Sequence, residues 1–199
     1  MIRRITTKEE QEEKEKKNKR ILAIIIGLVM LFSSASYAFF SFDNSTTKKE
    51  KLVFSGIDFI KNENGLWDFT ANGQSFQTTF NPAQVSNVSF ILGKTLQDFY
   101  NKNLYFGINS AEDLVSLGTS EILQNIGRFV IISQPSCLSE NCSEDYPVKN
   151  CSLDNVLIFK PANFSRIYLE DNCTIIAYAA GDEQKAADAF IFGIFGIRA

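Results

Sequence analysis

Histidine is absent from all 199 residues. Catalysis by a Ser-His-Asp or Cys-His arrangement is thereby excluded, and the commonest general base and metal ligand is missing with it. No C-x-x-C occurs, which disfavours thiol–disulfide exchange. No glycine-rich phosphate loop follows a strand pattern, and no internal repeat is present. A cationic face is lacking too. Residues 41–199 carry twelve Lys/Arg against eighteen Asp/Glu, a net charge of −6. Nucleic acid is therefore not an expected partner, because neutralising phosphates demands a basic surface.

Charge is also missing locally. Ile21–Phe40 is twenty residues without one charged side chain, entered directly from Lys16-Lys17-Asn18-Lys19-Arg20. At about 1.5 Å per residue, a helix of that length matches the roughly 30 Å hydrocarbon core of a bilayer. The basic flank holds the N-terminus in the cytoplasm and sends residues 41–199 outward. A cleaved signal is the rival, with Ser33-Ser34-Ala35-Ser36-Tyr37-Ala38 offering a cleavage site after Ala38. The apolar character resumes at Phe39-Phe40 and reaches full spanning length, which favours an uncleaved anchor contacting lipid through Ile21 to Phe40.

Residues 1–20 carry eight Lys/Arg and five Glu, net +3. Thr7-x-x-Glu10 fits a capping box, and Glu10–Lys14, Glu12–Lys16, Glu13–Lys17 and Glu15–Lys19 are spaced as i,i+4 pairs. They predict a charged cytoplasmic helix without an apolar face, better suited to orienting the anchor than to docking. Residues 41–51 form a polar tether, and residues 52–199 are long enough for one domain with its own core.

All four cysteines, Cys137, Cys142, Cys151 and Cys173, fall in that exported part. An even count in an oxidising compartment predicts two disulfides. A four-cysteine zinc site is the alternative, but the gaps of four, eight and twenty-one residues lack the two tight knuckles of zinc modules. Of the three pairings open to four cysteines, Cys137–Cys142 with Cys151–Cys173 is marginally favoured. It closes one tight loop and ties two strand starts together at one sheet end. No metal or cofactor is expected. The carboxylates Glu140, Glu144, Asp145 and Asp154 lack the spacing of a calcium loop and suit a solvated acidic segment.

Period-two patterning begins after the tether. One strand is expected over Val53–Ile60, a second over Leu66–Ala71 with Trp67, Phe69 and Ala71 on one face, and a third over Gln74–Phe80 with Phe76, Thr78 and Phe80 on one face. Asn72-Gly73 between the last two is a type I′ hairpin signal. Residues 52–80 are thus predicted as a three-stranded antiparallel unit, ended by Asn81-Pro82. A helix over Leu92–Asn101 and a strand over Leu104–Ile108 follow. Next come a capped turn from Ser110, a helix over Thr119–Ile126 and a central strand over Phe129–Ser133. Beyond the irregular cysteine segment Pro135–Leu153, the strands Val156–Lys160, Arg166–Leu169 and Cys173–Ala179 are expected as a meander. A last helix runs from Gly181-Asp182 to about Ile197. The predicted class is α+β: a transmembrane helix, then a mixed and largely antiparallel sheet domain with a C-terminal helix.

Gly56-x-x-Phe59, Gly65-x-Trp67, Asn72-Gly73 and Phe80-Asn81-Pro82-x-x-Val85, with the Asn172-Cys173 strand and the aromatic C-terminal helix, resemble signal-anchored archaeal membrane proteins that have no assigned activity. The resemblance covers most of residues 50–197. It implies the same topology and no mechanism, because the matching positions are turn and core residues.

Two features carry functional alternatives. Six N-x-[ST] sequons, at Asn44, Asn87, Asn141, Asn150, Asn163 and Asn172, lie beyond the apolar run. Asn44, Asn87 and Asn163 are the candidate N-glycosylation acceptors, because the other three have a cysteine in the middle position. In the last helix Ala187, Phe190, Ile191, Ile194 and Ile197 form one stripe, while Phe192 and Phe195 fall off it. A helix apolar nearly all round is buried or meets a partner, so Phe192 and Phe195 are the candidate interface. The expected function is a membrane-anchored extracytoplasmic binding or structural domain of the cell envelope, without catalysis. The alternatives are an envelope enzyme with a non-histidine dyad, for which Lys94-Thr95 is the adjacent pair, and an assembly or secretion factor gripped through the C-terminal helix.

Overall fold

The structure is a computed structural model that describes residues 50–108, 117–140, 142 and 145–197, together with Lys17, Ile21, Leu22, Ile25 and Ile26. Two compact units divide the chain, Met1–Lys48 and Lys49–Ala199. In the first, the five described residues are helical and exposed. The span Ile21–Phe40 as a whole, the rest of the charged lead and the tether up to Lys49 lie outside the described residues. Among the described residues no helix is long and apolar enough to cross a membrane.

The second unit is mixed α+β, with two sheets. Strands β1 (Lys51–Phe54), β2 (Ile57–Lys61), β3 (Trp67–Ala71) and β4 (Gln74–Thr78) pair antiparallel in sequence order. The expected three-stranded unit therefore has four strands. Ser55 and Gly56, at φ 49° and 76°, form a two-residue turn that breaks the predicted first strand into a hairpin. The turn puts Phe54 opposite Ile57 and Leu52 opposite Phe59, so these four share the core face while Val53 points outward. Asn72-Gly73 turns the chain as anticipated, with φ of 51° and 75°.

The other sheet has six strands in the order β5-β9-β10-β8-β6-β7. These are β5 (Ser89–Phe90), β6 (Leu104–Ile108), β7 (Ser133–Cys137), β8 (Asn155–Pro161), β9 (Arg166–Glu170) and β10 (Cys173–Tyr178). Only β9·β10 is antiparallel, so this sheet is mixed rather than largely antiparallel. Two expectations change with it. The last three strands are not a meander, because β10 inserts between β8 and β9. Its buried run Cys173–Ala177 requires cover on both faces, which an edge position would deny it. Phe129–Ser133 is not a central strand either. Gly127–Phe129 is a 3-10 turn that sends Phe129 into the core, Ile131 and Ile132 are exposed, and pairing starts only at Ser133 on the edge strand β7. Leu92–Asn101 contains one 3-10 turn, Leu96–Asp98, in place of a helix.

Helix α1 (Leu117–Ile126) lies in the crossover from β6 to its parallel neighbour β7, and helix α2 (Glu183–Ile194) follows β10. The two pack on each other, and α2 also touches β5, β9 and β10. On its opposite side Phe192 meets Phe59 and Phe69, at ring-centroid distances of 5.7 and 5.6 Å. Helix α2 is thus sandwiched between the two sheets, and one apolar cluster spans all three layers. The far face of the six-stranded sheet carries a second core around Tyr105, Val156, Ile158 and Ile175, covered by Leu138 and Cys151. Gly107 sits under that cover. A Cβ there would come within 2.9 Å of Ile158 and 3.0 Å of Leu138, so only glycine lets the cysteine segment seat on the sheet.

Candidate functional site

The densest polar constellation is where α1 and α2 meet the outer edge of β4. An edge strand presents unpaired N–H and C=O groups, and side chains satisfy them here. Asn125 mimics a neighbouring strand: its Oδ1 accepts the Gln77 N–H at 3.0 Å and its Nδ2 donates to the Gln77 carbonyl at 2.7 Å. One turn earlier, Glu121 accepts the Thr79 N–H at 2.9 Å. Just past the helix, Arg128 donates to the Ser75 carbonyl at 2.7 Å and lies over the Phe76 ring. Glu121 and Asn125 lie one turn apart on one helical face, and Arg128 of the following 3-10 turn extends their reach along the strand edge. Helix α2 adds Asp188, which accepts the Phe80 N–H at 2.7 Å, and Gln184, which donates to Glu121 at 3.1 Å.

Glu121 and Asp188 are therefore a buried carboxylate pair, and Asp188 is wholly inaccessible. Burial pushes the Asp188 pKa well above the usual carboxylate range, and the neighbouring Glu121 charge pushes it the same way. Asp188 Oδ1 is a buried oxygen without a hydrogen-bond partner. Paired carboxylates are capable of acid–base chemistry in an open cleft. Here both are sealed in the layer junction and engaged by backbone. Their work is to hold β4.

The nearest approach to a nucleophilic pair involves Lys94, but not with Thr95. Thr95 turns to Asp98, its N–H and hydroxyl donating to Asp98 Oδ2 at 2.8 and 3.1 Å. Lys94 Nζ donates instead to Thr174 Oγ1, at 3.2 Å and eighty residues away in sequence. Desolvation pulls the Lys94 pKa down, against the opposing pull of Asp98. A lysine of lowered pKa on a hydroxyl is the form that histidine-free nucleophilic activation takes. Thr174, however, is 0% exposed on the central strand β10, so no substrate reaches its hydroxyl in this conformation.

The cysteines form two disulfides, Cys137–Cys142 and Cys151–Cys173, with Cα separations of 5.7 and 4.8 Å. This is the favoured pairing. The second joins the approach to β8 with the start of its parallel neighbour β10. Among the described residues no three His, Cys, Asp or Glu side chains gather as metal ligands. Asp154 is engaged by Lys149 at 3.6 Å and by the Asn150 N–H at 3.3 Å.

Phe192 and Phe195 do not form an exposed ridge. Phe192 is 2% exposed, and Phe195 packs half-buried on Phe76 with ring centroids 4.5 Å apart. The off-stripe aromatics face the four-stranded sheet while Phe190 meets Phe99 at 5.7 Å on another side. A second sheet covers the face that a one-sheet picture leaves open. The partner-gripping reading of this helix thereby loses the exposed aromatics on which it was argued.

Of the candidate acceptors, Asn87 and Asn163 are exposed, and Asn44 lies outside the described residues. A shallow cleft of about 350 Å³ opens on the far face of the six-stranded sheet, over Leu138, Ile158 and Ile175, with Lys160 and Glu170 at its rim. No protein-family model, curated protein or solved structure matches the chain. The edge clasp escaped the sequence reading. Its one sequence signal is a polar series, Glu121, Asn125 and Arg128, running alongside the apolar Ile122 and Ile126 of the same helix.

Proposed function

We propose that the protein is a membrane-anchored extracytoplasmic domain of the cell envelope that binds or braces other envelope components without catalysing a reaction. The observation that carries this is the placement of both disulfides on the unit that follows the charge-free stretch Ile21–Phe40. Disulfides of this kind belong to an oxidising, extracytoplasmic compartment. A binding or structural role is supported by where the reactive-looking groups are spent. The carboxylate pair secures β4, and Lys94 donates to a hydroxyl buried on β10.

Carbonate extraction of membranes, followed by peptide mapping, tests the reading. An integral protein retaining its N-terminal peptide is the expected result. A soluble mature chain beginning at Phe39 would refute the anchor. One observation favours a second reading, an envelope hydrolase, namely the contact between Lys94 and Thr174. That reading requires labelling by an active-site-directed fluorophosphonate that disappears in Thr174→Val, and the binding reading requires no such labelling.

A further inference from the structure

We infer that Asn87 is a site of N-linked glycosylation, taking its saccharide from a lipid-phosphate-linked donor on the outer side of the membrane. The inference rests on the export reading above and adds a modification to it. Its basis is how the fold presents the sequons, which separates Asn87 from Asn163 where the sequence does not.

In Asn87-Val88-Ser89 the middle residue points inward, with Val88 7% exposed, while Asn87 and Ser89 both face solvent. The segment is held from both sides. Asn81 and Gln84 cap the preceding turn reciprocally at 2.9 and 3.0 Å, and the Val88 N–H donates to the Val85 carbonyl at 2.9 Å. The Ser89 N–H donates to the Ser165 carbonyl at 3.3 Å. Acceptor amide and sequon hydroxyl are thus displayed together on a fixed, open stretch of chain.

The other described sequons differ. In Asn163-Phe164-Ser165 the hydroxyl is buried, accepting the Ala179 N–H at 3.1 Å and donating to Asp182 at 3.4 Å. In Asn172-Cys173-Thr174 the middle residue is a disulfide half and Thr174 is buried against Lys94. In Asn150-Cys151-Ser152 the middle residue is again bridged, and Asn150 Oδ1 is occupied by the Ser152 N–H at 2.8 Å. Asn87 is the described acceptor that combines an exposed amide and an exposed sequon hydroxyl with a middle residue outside any disulfide.

The step joins Asn87 Nδ2 to the anomeric carbon of the saccharide. The bond from that carbon to the lipid phosphate oxygen breaks, the phosphate leaves with the electron pair, and the proton lost from Nδ2 passes to solvent. A membrane oligosaccharyltransferase supplies the catalysis. The glycan would stand next to β5, an edge strand of the six-stranded sheet, beside the cleft that Val85, Ser86 and Val88 form with α2. Bulk and hydration there would shield an edge that is only two residues long.

The test is peptide mapping by mass spectrometry of the full chain isolated from membranes of its own host, with thiol status measured on the same sample. A saccharide on the Asn87 peptide is expected. Asn87→Gln and Ser89→Ala should each abolish it and speed gel migration, and Ser89→Thr should retain it. A bare Asn87 in an oxidised, membrane-bound protein overturns the inference and leaves the export reading standing. So does saccharide found at Asn163 or Asn172 with Asn87 unmodified. A reduced, cytoplasmic protein overturns both.

Discussion

Asp188 and Asn125 show how much of this fold hangs on single polar side chains inside an apolar helix pair. Above about pH 3.9 an unfolded aspartate is ionised, while folded Asp188 holds its proton to a higher pH because of burial and Glu121. Its contribution to stability is therefore complete below the unfolded pKa and is lost as pH rises through the folded value. Glu121 on α1 is the charged group facing it, with Gln184 on α2 and the Thr79 and Phe80 amides completing the surroundings. Asp188→Asn keeps the acceptor for the Phe80 N–H and a donor toward Glu121 but cannot ionise. Its stability relative to the native chain should increase in urea titrations as pH rises above the unfolded aspartate range, until the folded pKa is passed. A pH-independent difference would show that Asp188 is ionised in the fold. Asn125→Ala should cost about 1–3 kcal/mol, because it strands the N–H and C=O of Gln77 at a covered edge. Equilibrium denaturation measures it, and a loss below a few tenths of a kcal/mol would mean that water replaces the clasp.

At the scale of elements, the C-terminal helix behaves as a central beam. Phe190 and Phe192 lie on different sides of it, and both are buried. Phe190→Ala and Phe192→Ala should therefore destabilise the domain alike, by about 3–5 kcal/mol, the range for a buried aromatic. Phe195→Asp should also destabilise it, through loss of the contacts to Phe69 and Phe76 and burial of a charge. Thermal unfolding of the three variants tests this. A Phe192→Ala variant as stable as the native chain would show that the four-stranded sheet does not seal that side. The Cys151–Cys173 bridge joins elements already paired through β8 and β10 and closes a 21-residue interior loop. Its removal by Cys151→Ser with Cys173→Ser should cost on the order of 3 kcal/mol. Breaking the shorter Cys137–Cys142 loop should cost less, and the reverse order would contradict the loop-length argument.

For the whole molecule, the unit Lys49–Ala199 has a continuous three-layer core of its own. A chain starting at Lys49 and expressed in an oxidising compartment should fold cooperatively, with a single sharp transition followed by near-UV circular dichroism. Removing residues 51–78 as well should leave a species that aggregates, because α2 would then show Phe192 and Phe195 to water. A stable monomer lacking both N-terminal hairpins would contradict the layered packing.

The chain by itself determines whatever lies within a few residues of itself. The Asn72-Gly73 hairpin, the face shared by Trp67, Phe69 and Ala71, the strand Leu104–Ile108 and the C-terminal helix all follow from local periodicity and turn chemistry. The charge-free stretch and the confinement of cysteine beyond it are likewise properties of the chain itself. Local pattern misled where a short turn hid inside an alternation, at Ser55-Gly56, and where an apolar run served a loop, at Phe129–Ile132. The order of strands was decided only in three dimensions. The pairing of β10 with β8, the meeting of Lys94 with Thr174 and the clasp of Asn125 on Gln77 join residues 17, 80 and 48 apart. Side chains at such separations meet only after the layers close, because burying β10 on both faces and α2 between two sheets removes more apolar surface from water than any local arrangement could.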